Sequence, residues 1–161
     1  MRKFPKNNNI DLKEIVAVRK VLETGVLSDF VANTNDKFFG GKEVINLEKK
    51  WSKYFKSKYS ITTNSWSTGI QTIIGALELG PGDEIIMPPF TMTSCAAVCL
   101  FYGVVPVFVD IEKDYFCIDP KKIEEKITKK TKAIMAVNLF GQSCDYTSLK
   151  KICSKHKLIL I

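Results

Sequence analysis

The stretch from Ile61 to Thr91 constrains the fold of this chain more than any other part of the sequence. A β-branched and aromatic run at 59–62 predicts a strand at its start. The residues after it carry one apolar helical face, at Ile70, Ile73, Ile74 and Leu77. Gly80-Pro81 then predicts the end of the helix, followed by a turn into a strand at 84–87. A strand–helix–strand unit of this kind is typical of a parallel α/β sheet.

The turn that opens this helix is crowded with small polar residues, at Asn64, Ser65, Ser67 and Thr68. The first amides of a helix lack acceptors within the helix, and the helix dipole is positive at that end. These amides, with the hydroxyls of the two serines and of Thr68 as further donors, predict a phosphate site. Taken alone, the same residues also fit a simple helix cap, which is the commoner use of such a cluster. Neither a Gly-Lys-Ser/Thr nor a G-x-G-x-x-G pattern accompanies them, which excludes a Walker loop and a dinucleotide fingerprint.

Composition sets the broad class of the protein. The 161 residues are 45% hydrophobic, which indicates one globular domain, or a large piece of one, with a real core. The net charge of +7 could indicate a nucleic-acid partner. However, all but two of the 24 basic residues are lysines, and they are scattered along the chain. A solvated lysine surface therefore explains the charge better, and we expect no nucleic-acid partner.

Cysteine usage and apolar runs restrict the compartment. The five cysteines have irregular spacing and are Cys95, Cys99, Cys117, Cys144 and Cys153. With His156 as the only histidine, they predict neither a disulfide framework nor a metal site, and reduced thiols favour the cytoplasm. The charged N-terminus has no apolar core of a signal peptide. The longest apolar run, 95–109, is too short to span a bilayer and contains Gly103 and Pro106, so we expect no membrane partner.

Two helices and an irregular segment are predicted before the stretch from Ile61 to Thr91. Asp11 and Glu14 predict a capping box at the start of the first helix, and Gly25 predicts its end. Residues 26–42 are rich in Asn, Asp, Gly and Phe, which predicts a segment that docks at an interface or covers a site. The second helix carries an apolar stripe, interpreted as core, at Val44, Leu47, Trp51, Tyr54 and Phe55.

After Thr91 the sequence alternates between helices and buried strands. Helices are predicted at 94–102, from Asp119-Pro120 onward and from Ser143 or Asp145 onward, and strands at 104–109, 133–139 and 158–161. The resulting order, β-α-β-α-β-α-β-α-β, predicts an α/β fold with a mostly parallel sheet and helices on both faces. A domain seldom ends inside a buried parallel strand, so the last strand predicts a truncated domain. We expect an N-terminal helix and irregular segment at 1–42 and the incomplete α/β domain at 43–161.

Several segments follow one another in an order that is specific to one enzyme family. They are TTNSWSTGIQTIIGALELGPGDEIIMPPFT, VVPVFVDIEKDYFCIDP, TKAIMAVNLFGQ and KLILI. From about Val26 onward, the chain resembles the first half of a DegT/DnrJ/EryC1/StrS sugar aminotransferase. The resemblance implies the aspartate-aminotransferase-like fold, PLP fold type I, in which this chain forms part of the large domain. It also implies pyridoxal 5'-phosphate (PLP) as the cofactor.

The same resemblance implies roles for three residues. Trp66 and Ser67 stand at the helix-opening pair that holds the cofactor phosphate, through both amides and the Ser67 hydroxyl. Met92 stands where a residue stacks on the pyridine ring, and a thioether can cover a ring face. Asn138 stands where many relatives have histidine and receives no role. The Schiff-base lysine and the acid that pairs with the pyridine nitrogen follow Ile161 in the family, so we expect no catalytic residue here.

Three functions remain open at the level of the sequence. The first is the N-terminal part of a PLP-dependent aminotransferase that acts on a keto group of a nucleotide-linked sugar, with glutamate as amino donor. By family resemblance the whole enzyme would be a cytoplasmic homodimer, and the isolated 161-residue piece would be inactive. The second is another fold type I enzyme, such as a lyase or dehydratase. The third is a non-catalytic regulatory relative or a decayed gene fragment.

Overall fold

A computed structural model describes residues 9–161, and its backbone forms two compact units that divide between Thr62 and Thr63. The sequence-based division between residues 42 and 43 stays a prediction. The charged start of the chain, which supports the expectation of no signal peptide, lies outside the described residues.

The first unit contains the two helices expected from the sequence. Helix α1, Leu12–Glu23, begins with the predicted capping box. The Asp11 carboxylate accepts from the Lys13 amide at 2.8 Å, and the Glu14 carboxylate accepts from the Asp11 amide at 2.9 Å. Helix α2, Lys42–Phe55, follows a segment whose only regular part is a 3₁₀ helix at Asp36–Phe39. The capping box is thus confirmed.

The interpretation of the α2 stripe as core is wrong for this chain. Trp51 is 55% exposed and Tyr54 is 80% exposed, and α2 has no buried residue. Helix α1 has none either. An apolar periodicity indicates which face of a helix is suited to burial, but among residues 9–62 the side chains of that face remain exposed.

The second unit is an α/β domain. Its helices are α3 (Trp66–Ala76), α4 (Ser94–Leu100) and α5 (Tyr146–His156), and its strands are β1 (Glu84–Met87), β2 (Val105–Phe108), β3 (Thr131–Ile134) and β4 (Ile159–Leu160). The strands form one sheet in the order β2-β1-β3-β4, and every pair is parallel. This confirms the predicted parallel α/β sheet.

Three local predictions differ from the structure. No strand forms at 59–62, because the Thr62 amide and hydroxyl bind the Glu48 carboxylate at 2.8 and 2.9 Å and not a neighbouring strand. The helix expected from Asp119-Pro120 consists of two 3₁₀ turns, at 120–122 and 124–126. Helix α3 ends before Gly80, because the backbone already turns left-handed at Glu78, with φ of 55°.

The core lies on both faces of the sheet. Successive side chains of β1 point to opposite faces. Ile85 and Met87 pack with α3 and α4 residues in one buried cluster, whereas Ile86 packs with Leu149 and Cys153 of α5 in another. Helices therefore cover both faces, as the near-continuous apolar strands predict.

We expect Ile86→Ala to destabilise the protein by about 2–5 kcal/mol, because it leaves a cavity in a fully buried position of an interior strand. The free energy of unfolding in urea measures the effect. Leu100→Ala is the control, since Leu100 is 64% exposed on α4 and its loss should change stability by less than about 0.5 kcal/mol. Equal losses for both variants would contradict the two-sided core.

Candidate phosphate site at the carboxyl edge of the sheet

The candidate site lies where the parallel strands end. In open α/β sheets, ligands bind beyond the carboxyl ends of the strands. Ile70 and Ile74 of α3 pack in one cluster with Ile85 and Met87 of β1, and only a short turn joins this helix to this strand. The chain therefore reverses between them, which brings the first turn of α3 to the carboxyl edge of β1.

The polar turn before α3 uses most of its own hydrogen-bonding groups. The Thr68 hydroxyl donates to the Asn64 side-chain oxygen at 2.7 Å. The Ser65 and Thr68 hydroxyl oxygens lie 2.8 Å apart. Because the Thr68 hydroxyl proton is already used, the Ser65 hydroxyl is the donor in this contact. The Ser65 oxygen also accepts from the Thr68 amide at 3.2 Å, as an N-cap does. Neither hydroxyl proton is left for a ligand, which corrects the expectation that all three hydroxyls serve as donors.

Ser67 and Trp66 retain the donors that the turn does not use. Among the described residues, the Trp66 amide, the Ser67 amide and the hydroxyl of the half-buried Ser67 donate no hydrogen bond. The three groups are uncharged and sit at the positive end of an 11-residue helix. This donor set has the chemistry that a phosphate needs, three donors without a fixed counter-ion. The assignment of Trp66 and Ser67 to a phosphate stays a prediction.

Met92 lies on the loop that follows β1, directly before α4. Its side chain is 74% exposed, and its carbonyl accepts from the Cys95 amide at 3.0 Å at the start of that helix. Phe90, on the same loop, is 49% exposed. Both side chains are accessible to a ligand, and the role of Met92 as a ring contact stays a prediction.

Asn138, which received no role from the sequence, organises the loop after β3. Its side-chain oxygen accepts from the Cys144 amide at 3.0 Å and from the Tyr146 hydroxyl at 3.1 Å. One amide oxygen thereby ties the end of β3 to the start of α5. The only sequence signal for this was a polar residue within the apolar run predicted as a strand at 133–139.

Two buried thiols and the described lysines are not set up as nucleophiles. Burial raises the pKa of the Cys99 thiol to about 11 and that of the Cys144 thiol to about 12, so both stay protonated near neutral pH. Every described lysine is exposed. A Schiff-base lysine is activated by desolvation or by a neighbouring cation, and an exposed side chain lacks the first of these.

Two kinds of feature are absent from residues 9–161. No group of three or more His, Cys, Asp or Glu side chains in that range could hold a metal ion. None of the helices in the same range combines the length and the apolar character needed to cross a bilayer.

Fold and site together define a class. It is a parallel α/β sheet with helices on both faces and with uncharged, unused donors at a helix start on its carboxyl edge. The model of the DegT/DnrJ/EryC1/StrS aminotransferase family matches residues 23–161. The chain belongs to this family, and the resemblance seen in the sequence is confirmed.

Individual relatives agree with the family match. The chain is 34% identical to the 3-oxo-glucose-6-phosphate:glutamate aminotransferase of Bacillus subtilis strain 168, over 98% of this chain and 37% of the relative. It is 38% identical to the dTDP-3-amino-3,6-dideoxy-alpha-D-galactopyranose transaminase of Aneurinibacillus thermoaerophilus, over 90% and 37%. The chain thus spans little more than a third of the length of these curated relatives.

A solved structure confirms the fold. The structure of GDP-4-keto-6-deoxymannose-3-dehydratase with a trapped PLP-glutamate geminal diamine superposes with a TM-score of 0.84 and 30% identity. The match covers 99% of this chain and 40% of the dehydratase chain. The aspartate-aminotransferase-like class expected from the sequence is therefore correct, and this chain accounts for less than half of such a chain.

We expect Ser67→Ala to weaken the binding of a phosphate ester by about 1.5–3 kcal/mol, because a hydrogen bond to a charged group is lost. Pyridoxal 5'-phosphate is the probe, and unphosphorylated pyridoxal is the control ligand, whose binding should not change. Thr72→Ala is the control variant. The Thr72 hydroxyl lies one turn further along α3 and already donates to the Thr68 carbonyl, so its loss should not weaken phosphate binding. Ser67→Asp places a carboxylate against the phosphate, so undiminished binding in that variant would refute the placement.

Proposed function

We propose that this chain is the N-terminal, cofactor-binding part of a PLP-dependent aminotransferase. The enzyme transfers an amino group from glutamate to a keto group of a nucleotide-linked sugar. The observation that carries the proposal is the start of α3, where two free amides and the free Ser67 hydroxyl lie at the carboxyl edge of the sheet in a chain of this family.

The residues present fit a PLP phosphate and one face of its ring. Trp66 and Ser67 would hold the phosphate through their amides and one hydroxyl, and the helix dipole would add to the attraction. Met92 would cover a face of the ring with a polarizable thioether, and its exposure leaves it free to do so. When bound, PLP supplies the electron sink that transamination needs. The task of these residues is to bind and orient the cofactor, and we assign no proton transfer to any of them.

The names of the relatives support the substrate class. The Bacillus subtilis relative is named for an oxo-sugar phosphate and glutamate, and the Aneurinibacillus thermoaerophilus relative is named for a dTDP-linked amino sugar. The sugar, the nucleotide linkage and the glutamate donor are therefore proposed together for this protein. We further propose a cytoplasmic location, which the five free cysteines support.

A dehydratase is the second candidate, because a dehydratase structure superposes closely on this chain. Both reactions begin with a PLP enzyme and a keto sugar, so binding alone does not separate them. Mass spectrometry of the sugar product does: an aminated product supports the transferase, and a product that has lost water supports the dehydratase.

We also propose a homodimer, built in part on the segment from Val26 to Lys42. Its apolar side chains are exposed, with Leu27 at 72%, Phe30 at 54% and Phe39 at 71%. Phe38 stacks edge-on against Phe39 at 5.5 Å between ring centroids, which leaves much of both rings uncovered. Contiguous exposed aromatic groups of this kind mark an interaction surface.

We expect Phe39→Asp to shift the protein from dimer to monomer in light scattering, because it places a charge in the buried interface. Tyr59→Asp is the matched control, since Tyr59 is 73% exposed in the same unit but outside the segment. The Tyr59→Asp variant should remain a dimer. A wild-type protein that remains a stable monomer with PLP bound would exclude the homodimer.

We expect the 161-residue chain to show no transamination by itself, because the family resemblance places the Schiff-base lysine and the pyridine-nitrogen acid after Ile161. The measurement combines PLP, glutamate and the purified chain, and follows the conversion of PLP to its amino form by absorbance. Borohydride treatment and peptide mapping then test for a covalent PLP–lysine bond. Turnover together with a reduced adduct at one specific lysine would refute this expectation.

A further inference from the structure

Three phenylalanine rings from three different loops meet near the carboxyl edge of the sheet. Phe90 follows β1, Phe116 lies between β2 and β3, and Phe140 follows β3. The Phe90 ring centroid lies 6.0 Å from that of Phe116 and 6.5 Å from that of Phe140, with ring planes inclined by 51° and 66°. The rings are 49%, 43% and 83% exposed in chain order. We call this group, Phe90, Phe116 and Phe140, the phenylalanine cup.

Two members of the phenylalanine cup stand on strained backbone. Phe116 has φ of 60° and Phe140 has φ of 53°. Lys56 and Lys157 share this conformation, but they terminate helices, where it is ordinary. A bulky residue in this region is an outlier. Such strain persists only where the surroundings enforce it, and it concentrates at binding and active sites.

The surroundings hold both strained residues in place. The Phe116 amide donates to the Glu112 carbonyl at 3.1 Å, and the Glu112 amide donates to the Cys117 carbonyl at 2.9 Å, which closes a tight turn. Phe140 lies two residues after Asn138, whose side chain anchors that loop through two hydrogen bonds. Both rings are therefore presented to solvent by fixed loops.

The chemistry of the cup favours an uncharged planar ligand. The loops around Phe90 and Phe140, residues 88–93 and 137–144, contain no charged side chain. The second loop adds two amide side chains, those of Asn138 and Gln142, both exposed. Aromatic faces bordered by amides suit a heteroaromatic ring that carries hydrogen-bonding groups.

We propose that the phenylalanine cup binds the base of the nucleotide-linked sugar substrate by stacking. This inference rests on the proposed function, because that function supplies a substrate with a base. It assigns to Phe140, the most exposed ring of the three, the largest share of contact with the base.

The test titrates the full 161-residue chain with dTDP, with GDP and with ribose 5-phosphate in a calorimeter. We expect both nucleotides to bind and the base-free sugar phosphate to bind at least tenfold more weakly. Phe140→Leu should weaken nucleotide binding roughly tenfold, equivalent to about 1.4 kcal/mol, whereas Phe140→Tyr should retain it. Phe101→Leu is the matched control, because Phe101 is 73% exposed after α4 with φ of −63° and should have no effect. Unequal affinities for dTDP and GDP would show which base the cup prefers.

Phe140→Gly separates binding from stability. It removes both the ring and the left-handed strain, so nucleotide binding should fall while the urea midpoint of unfolding stays equal or rises.

Three results would overturn the proposal. They are equal binding of ribose 5-phosphate and dTDP, an equal loss of nucleotide binding in Phe101→Leu, and a change of oligomeric state in Phe140→Gly. Wild-type chain that binds pyridoxal 5'-phosphate but no nucleotide would overturn it too, while leaving the proposed function standing. Conversely, the chain could bind nucleotides while Ser67→Ala leaves its affinity for pyridoxal 5'-phosphate unchanged. That result would contradict the proposed phosphate site and not the phenylalanine cup.

Discussion

The pairing of β1 with both of its neighbours is the interaction on which the second unit depends. Its register with β2 runs from Glu84–Val105 to Met87–Phe108, and β3 pairs on its other side. Ile85, Ile86 and Met87 are fully buried, so one short strand supplies apolar contacts to both faces. Since α3 and α4 pack on one face, this strand fixes where the first turn of α3 and the loop after β1 lie.

The uncharged donors at the start of α3 would bind an anion only weakly by themselves. A helix N-terminus contributes about 0.3–1 kcal/mol toward an anion, and up to about 2 kcal/mol when partly buried. Hydrogen bonds to the charged phosphate add about 1.5–3 kcal/mol each. The loss of freedom on association, about 4–15 kcal/mol, removes most of this gain. Under the proposed function, these donors alone would support binding near the millimolar range, about −4 kcal/mol, and tight retention of a cofactor would need contacts from elsewhere.

The first unit poses the opposite problem, apolar surface without a partner. The stripe of α2 and the aromatic residues between the helices are exposed, although their spacing is that of a buried face. Burying such surface is favourable by about 25 cal/mol per Å². The burial of apolar surface, which stabilises the sheet of the second unit, is thus available here to drive association. This is the basis of the proposed homodimer.

The sequence by itself determined the parallel sheet, the two-sided core and the family. Strand patterns and helix caps can be read from neighbouring residues, and several motifs in a fixed order together identify a family. The polar turn before an apolar helix is also visible in the chain, and the family resemblance predicts that Trp66 and Ser67 hold a phosphate there. Only the tertiary structure decided which hydroxyl is free, because that depends on the direction of a proton between Ser65 and Thr68. It alone showed the α2 stripe to be exposed and brought three phenylalanines from distant loops together. Both depend on which surfaces meet in space, and residue spacing along one element carries no information about its partner.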